Sequence, residues 1–151
     1  MIFEITDSFG EKKTLQPRVQ LYSVKDFMGK KMSGIAVMLD EVNKDNEIIG
    51  QYSNLTVSFG EFISLKNSAY IDTNNCNFTD QLLKYGIATP TGLTKRSGFC
   101  EYPLWIFNEQ FLRENGGEQY QKYATEYNKY MCVDEDEELT VPKPEMEAEL
   151  N

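Results

Sequence analysis

The sequence predicts an α+β fold: an antiparallel sheet of five or six strands, with a short central helix and a C-terminal helix packed on one face. Apolar residues within residues 1–71 come in short runs separated by turn-forming residues, which is typical of antiparallel strands. Residues 118–131 instead carry apolar side chains at helical spacing. The length of 151 residues suits one core, so we expect a single domain over 1–132 and an acidic, flexible tail over 133–151.

Each predicted strand ends at a cluster of turn residues. Pro17 removes a backbone donor from the second run, so that run is expected to be an edge strand or a bulged strand. The third run is almost continuously apolar, which indicates a central strand. The predicted strands are residues 1–6, 13–24, 34–39, one or two strands within 48–58, 69–71 and 102–107.

A short helix is predicted in the middle of the chain. Asn77 with Asp80 three residues later resembles a capping box, in which each side chain bonds a backbone N–H of the first turn. The helix is expected over residues 78–85, with Gly86 as its C-terminal stop. Residues 87–98 are rich in Thr, Gly and Pro and are predicted to form a loop.

The C-terminal helix is expected to begin after Asn108, to break at two glycines and to restart over 118–131. Its apolar stripe consists mostly of tyrosines, which predicts a half-buried face whose hydroxyls stay solvated. Two interpretations are open: packing across the sheet, or an interface for a partner or a second copy of the chain. As a partner-binding surface it would comprise Tyr120, Tyr123, Tyr127 and Tyr130.

The net charge of −9 is concentrated at the end of the chain. Residues 133–151 carry eight acids and one lysine, a net −7, whereas residues 1–132 carry sixteen acids and fourteen bases, a net −2. A nearly neutral body with scattered basic pairs does not predict nucleic-acid binding. An acidic run can attract a basic protein, although salt screens this attraction beyond about 8 Å. The acids expected to contact such a partner are Asp134, Glu135, Asp136, Glu137 and Glu138.

The sequence favours a cytoplasmic protein that does not bind membranes. It contains no apolar stretch of about 18 residues, and its first residues do not combine a basic region with an apolar run. Its three cysteines are therefore expected to be reduced thiols rather than a disulfide framework.

The chain contains no histidine, which removes most familiar acid–base, metal and nucleophile arrangements at neutral pH. Asp7 and Glu11 with the following lysines resemble the acidic set of magnesium nucleases only superficially, because all of them lie around one predicted turn. Phosphate-binding glycine loops are absent. No catalytic residue, metal or cofactor is therefore predicted.

The thiols allow two weaker functional interpretations. Cys76, Cys100 and Cys132 with Asp72 could supply four zinc ligands, but zinc sites usually bring cysteines in close pairs and none occurs here. Cys76 precedes the predicted short helix, whose N-terminus would lower the pKa of the thiol somewhat and favour a nucleophile. Structural burial of the thiols is the competing interpretation.

Two phrases combine turn formers, a thiol and aromatic residues: Tyr-Ile-Asp-Thr-Asn-Asn-Cys (70–76) and Ser-Gly-Phe-Cys-Glu-Tyr-Pro-Leu-Trp (97–105). Together with Gly-Ile-Ala-Thr-Pro-Thr-Gly (86–92), they resemble a family of small bacterial proteins known mainly as a domain of unknown function on conjugative and phage-like mobile elements of gut bacteria. The resemblance transfers no catalytic residue. It leaves open whether the following residues are ligands or turn architecture: Asp72, Asn74, Asn75, Cys76, Cys100 and Tyr102.

The leading hypothesis is a non-enzymatic accessory protein of a mobile genetic element that acts by protein–protein binding. The resemblance implies a role such as inhibition of a host nucleic-acid-handling defence enzyme, of the anti-restriction or anti-CRISPR type, with that basic enzyme as partner. The alternatives are a small enzyme with a site around Asp72, Asn75, Cys76 and Cys100, and a homodimeric scaffold that uses the tyrosine-rich helix. Converging side chains in an open cleft would favour the enzyme, whereas buried thiols and hydrogen-bonded Asn side chains would argue against it.

Overall fold

The computed structural model describes residues 1–132, which form two four-stranded antiparallel sheets and three helices. The α+β class is confirmed, with eight strands in two sheets rather than five or six in one. The elements are β1 (Phe3–Thr6), β2 (Lys12–Lys25), β3 (Lys31–Val42), β4 (Ile48–Asn54), β5 (Thr56–Val57), β6 (Ser68–Ile71), α1 (Thr79–Leu83), β7 (Ala88–Ser97), β8 (Cys100–Phe107), α2 (Glu109–Gly116) and α3 (Glu118–Tyr130).

The first sheet is a meander with the order β1-β2-β3-β4. Its longest ladder joins β2 to β3, from Leu15 opposite Glu41 to Lys25 opposite Lys31. β1 pairs with β2 only as far as Leu15. Pro17 therefore lies where β2 has a strand on one side only, among the residues the structure describes, and its missing N–H is tolerated there as expected of an edge position.

The second sheet has the order β5-β6-β8-β7. The prediction of a loop over 87–98 is wrong, because β7 occupies most of that segment and pairs with β8. Nearly all β7 side chains are exposed or half-exposed, so the strand lacks the apolar alternation by which strands are recognised. The ladder also shifts register between Pro90 and Thr94, around Gly92 with φ of 85°.

The core lies between the two sheets and the helices. α2 and α3 pack against β2 and β3, and α1 packs against β1. Gly116 permits the close approach of α2 to β2, because a Cβ atom there would lie 3.0 Å from the side chain of Val19. The largest fully buried side chains are Tyr120, Phe3, Phe107, Ile5, Leu15, Ile35, Leu39, Leu55, Ile71, Leu82, Ile87 and Leu112.

The predicted capping box at Asn77 and Asp80 is wrong. α1 begins at Thr79, its N-cap residue is Phe78, and no side chain bonds the free N–H groups there. Apolar burial of Phe78 and Leu82, both in the core, holds this short helix instead. The predicted break at the two glycines of 116–117 is confirmed, since α2 ends at the first and α3 begins after the second.

Candidate functional site

The first phrase, residues 70–76, runs from the end of β6 into a hydrogen-bonded turn. The Asp72 carboxylate accepts hydrogen bonds from the Asn75 backbone N–H at 3.2 Å and from the Asn75 side-chain amide at 2.8 Å. The Asp72 carbonyl accepts the N–H of Cys76 at 2.9 Å. Asn74 is exposed at the tip of this turn. These bonds engage the Asp72 and Asn75 side chains in fixing the chain between β6 and α1.

The Cys76 thiol is fully buried in the core. It lies 3.1 Å from the Ser53 hydroxyl and donates to the Asn54 carbonyl at 3.4 Å. Burial raises the pKa of this thiol, and the Ser53 hydrogen bond offsets only part of the effect. The expectation that a helix N-terminus lowers this pKa is therefore wrong: removal from water opposes the thiolate more strongly.

A shallow cavity of about 270 Å³ lies beside this turn, lined in part by Phe9, Tyr52, Ser53 and Asn75. The Cys76 sulfur lies behind Ser53 and does not line the cavity. The cavity thus lacks a thiol among its lining residues. It does not join the groups that an enzyme site at the two phrases requires.

The second phrase places Cys100 and Tyr102 on the outer face of β8, away from the core that holds Cys76. A hydrogen bond with Cys100 raises the pKa of Tyr102, and burial and the negative charge of Asp72 act in the same direction. The structure therefore brings Asp72 near Cys100 and Tyr102, whereas the Cys76 thiol, although close to Asp72 along the chain, points into the core. Cys100 is half-buried and Cys132 exposed, so the three thiols do not share one site.

An aromatic cluster that sequence reasoning missed covers part of this outer face. The ring of Phe59 packs against Tyr70 and Tyr102 at centroid distances of 5.5 and 5.4 Å. The Lys95 ammonium lies 5.3 Å from the centre of the Phe59 ring and pairs with Glu61 at 2.9 Å. The rings thus cover one another and are half-buried. Their spacing along the chain gave no signal, because Phe59 reaches the sheet from a loop.

The tyrosine stripe is part of the core, and its prediction as a partner-binding surface is wrong for three of its four residues. Tyr120, Tyr123 and Tyr127 are buried, with exposed fractions of 0, 4 and 7%. Packing across the first sheet, the other interpretation, accounts for them. A homodimer interface through these three rings is excluded in the folded protein for the same reason.

The tyrosine hydroxyls are satisfied by protein groups rather than by solvent. Tyr120 donates to the Asn67 side-chain oxygen at 2.7 Å, and Tyr123 accepts the Asn67 N–H at 3.0 Å. Tyr127 donates to the Ser64 carbonyl. The half-buried Tyr130 donates to Asp26 at 2.7 Å, which is the main cause of the lowered pKa of that carboxyl. α3 therefore holds the 64–67 loop and the β2–β3 turn in place.

Three hairpin turns of the first sheet share one geometry. In each, the first residue is an Asp or Asn whose Oδ1 accepts the N–H groups two and four residues later at 2.8–2.9 Å. The fourth residue has left-handed backbone angles, which Gly and Asn adopt most easily. First and fourth residues are Asp7 and Gly10, Asp26 and Gly29, and Asn43 and Asn46.

These equivalent turns differ at their two central residues. They are Ser8-Phe9 in the first turn, Phe27-Met28 in the second and Lys44-Asp45 in the third. Phe27 is 93% exposed, Phe9 89% and Met28 79%. Because the third turn makes the same hydrogen bonds with two charged residues, the turn does not require apolar side chains. The exposed apolar residues therefore contribute nothing to this local fold.

The second turn concentrates this exposure, and we call Phe27 and Met28 the apolar tip. Lys25, Lys30 and Lys31 flank it and are exposed. Phe9 lies at the opposite end of the fourteen-residue strand β2 and cannot share a surface with the tip. Sequence reasoning missed this exposure, for which the signal was two apolar residues in the segment between the predicted strands 13–24 and 34–39.

Asp134 to Glu138, the acids predicted to bind a partner, lie outside the described residues. Within residues 1–132 no group of three or more Cys, Asp or Glu side chains could hold a metal ion. No helix in that range is long and apolar enough to cross a membrane.

Residues 21–133 match the model of a family described as a domain of unknown function, DUF4313. The match includes the apolar tip, both phrases and α3. No curated protein and no solved structure matches the chain.

Proposed function

Because the chain belongs to the domain-of-unknown-function family DUF4313, we propose its function from its surface: a non-enzymatic accessory protein that binds a protein partner through the apolar tip. One observation carries the proposal. The third of three turns of equal geometry forms with a charged centre, yet the second exposes Phe27 and Met28 almost completely. Exposed aromatic and Met side chains are enriched at interfaces, where their burial supplies most of the affinity.

The tip is presented rigidly. Asp26 bonds the turn internally and accepts the Tyr130 hydroxyl, so the turn is anchored to α3. Lys25 is fixed on its other side, since its N–H and carbonyl bond Gly60 and Phe62. A pre-organised tip loses little conformational entropy on binding. With lysines at its base, the tip fits an apolar pocket with an acidic rim.

The test exchanges one turn for another. The variant Phe27→Lys/Met28→Asp copies the third turn onto the second and so keeps the hydrogen-bonded turn while removing the tip. Its matched control, Ser8→Lys/Phe9→Asp, makes the same exchange at the other end of β2. We expect a photo-crosslinking amino acid at position 27 to capture one protein from cells that express the chain naturally.

The captured protein is then purified and its affinity measured against all forms of the chain. The tip variant should lose about 30-fold or more in affinity, and the control variant less than about threefold, because removal of a hot-spot pair costs about 2 kcal/mol or more. Equal affinity for the wild type and the tip variant would contradict the proposal. So would tip-dependent binding to lipid vesicles without any protein partner.

The narrower role proposed here is that of a cytoplasmic protein of a mobile genetic element which inhibits a host nucleic-acid-handling defence enzyme. It is supported by the resemblance of the two phrases and by the eight acids of residues 133–151. A basic enzyme would be attracted to those acids. If so, deletion of residues 134–151 weakens binding and flattens its salt dependence, whereas unchanged affinity removes the tail from the mechanism.

The enzyme alternative finds little support in the arrangement of its residues. Cys76 is buried with a raised pKa, and Asn75 and Asp72 bond each other. Cys100 lies on the other face of the second sheet. Replacing Cys76 and Cys100 by Ser should therefore leave partner binding unchanged.

A further inference from the structure

Five exposed lysines lie along α3 and around the turn that packs against it; we call them the basic patch. The Lys30 ammonium lies 5.3 Å from the centre of the Tyr130 ring, in the last turn of α3. Lys31 and Lys122 line one open cavity of about 380 Å³, and Lys122 and Lys129 line a second of about 540 Å³. Lys25 lies opposite Lys31 on β2.

The basic patch carries an excess of positive charge. Three acids lie beside it: Asp26 accepts the Tyr130 hydroxyl, Glu126 accepts the Ser33 N–H at 2.7 Å, and Glu118 lines the second cavity with Lys122 and Lys129. Within the described part of the chain, no carboxylate forms an ion pair with any of the five lysines. In a body of net charge −2, this local excess can attract a negatively charged group.

The chain leaves α3 at this patch. The Cys132 N–H bonds the Lys129 carbonyl at 3.3 Å, and Cys132 has a left-handed φ of 58°. A left-handed residue after a helix turns the chain away from the helix axis. The next acid, Asp134, is two positions further on.

We propose that residues 134–138, the acidic segment, bind back onto the basic patch of the same chain. Reach permits it: at about 3.5 Å per residue, Asp134 lies within about 7 Å of Cys132 and Glu138 within about 20 Å. Lys122 and Lys129 are two helical turns apart, about 10 Å along the axis. All five acids can therefore meet lysines of the patch.

The helix dipole opposes this contact but is outweighed. The C-terminus of α3 carries roughly half a negative charge, which disfavours acids beside it. Five lysines against Asp26, Glu118 and Glu126 leave a net charge of +2 at the same place. Tethering adds a local concentration on the order of millimolar, which an independent acidic molecule does not have.

Zero-length carbodiimide cross-linking of the full chain tests the proposal, because it joins ammonium and carboxylate groups only in contact. We expect cross-links from residues 134–138 to Lys25, Lys30, Lys31, Lys122 or Lys129. Lys12, Lys44 and Lys84, exposed elsewhere on the molecule, serve as internal controls. Yields to the patch should fall at least about fivefold in 1 M NaCl, where the screening length is about 3 Å.

A matched pair of variants completes the design. The first variant replaces five carboxylates by the corresponding amides, at Asp134, Glu135, Asp136, Glu137 and Glu138. It cannot form these cross-links, and the backbone NMR signals of its patch lysines should be shifted from those of the wild type. The control Glu145→Gln/Glu147→Gln/Glu149→Gln should leave both cross-links and signals nearly unchanged. Cross-links spread evenly over patch and control lysines would overturn the proposal, as would cross-links between differently isotope-labelled copies. Neither result bears on partner binding by the apolar tip, which is tested separately.

Discussion

Asn67 shows how the buried tyrosines fix a left-handed position of the backbone. Its backbone φ is 66°, a conformation that Asn adopts more easily than other non-glycine residues. Tyr120 bonds its side chain, Tyr123 accepts its N–H, and its carbonyl accepts the Phe107 N–H at 2.7 Å. The hydroxyls of Tyr120 and Tyr123 therefore bond the chain at Asn67, which gives a physical reason for Tyr rather than Phe in this core stripe.

Tyr123→Phe tests this role. At pH 7 the variant should lose about 1 kcal/mol in free energy of unfolding, because the Asn67 N–H loses its acceptor. Burial raises the pKa of Tyr123, so above pH 10 the unfolded tyrosine ionises while the native one stays protonated. The wild type should then lose stability with rising pH, by up to about 1.4 kcal/mol per pH unit for this residue, and the variant less steeply. Urea unfolding at pH 7 and between pH 9.5 and 11 measures both effects; parallel curves would contradict the assignment.

At the scale of elements, turn chemistry dictates the first sheet. Three turns begin with Asp or Asn and place Gly or Asn at the left-handed position, so the meander from β1 to β4 could be predicted from sequence. β7 could not, since backbone pairing with β8 holds it and its side chains stay outside. The Asn77 and Asp80 pattern predicted a capping box that does not form. Burial of Phe78 sets the start of α1 instead, and no side chain caps that helix.

The site was harder to predict than the fold. The two phrases were considered as a site because their composition is unusual. In the structure, however, the side chains of Asp72 and Asn75 hydrogen-bond each other within a turn. The apolar tip was not predicted, because a sequence pattern alone does not show which apolar residues remain exposed in the folded protein. Only the comparison of three equivalent turns separates what folding requires from what it does not.

The equivalence of these turns predicts graded effects at Gly29, whose φ is 83°. Gly29→Ala should lower the free energy of unfolding by about 1–2 kcal/mol, because a left-handed backbone crowds its Cβ. Gly29→Asn should cost distinctly less, since Asn46 fills the same position of the third turn with φ of 62°. Denaturant titrations of both variants give the comparison. An Ala variant no less stable than the Asn variant would show that the turns are not equivalent.

Across the whole molecule, charge and core are separated. The core formed by both sheets and all three helices lies within residues 1–132. Most of the net negative charge, −7 of −9, belongs to residues 133–151. The tyrosines once considered for a dimer interface are inside the protomer. Folding of the body thus depends on burial, and the interactions of the tail on ion pairs that salt can screen.

This separation predicts that residues 1–132 fold alone. A chain truncated after Cys132 should match the full chain in free energy of unfolding within about 0.5 kcal/mol at 0.5 M NaCl, because exposed ion pairs contribute little once screened. Light scattering should find the truncated chain in the same oligomeric state as the full chain, because Tyr120, Tyr123 and Tyr127 are buried within the protomer. The full chain at the same salt is the control for both measurements. A truncated chain that unfolds far more easily, or that aggregates, would place part of the fold beyond residue 132.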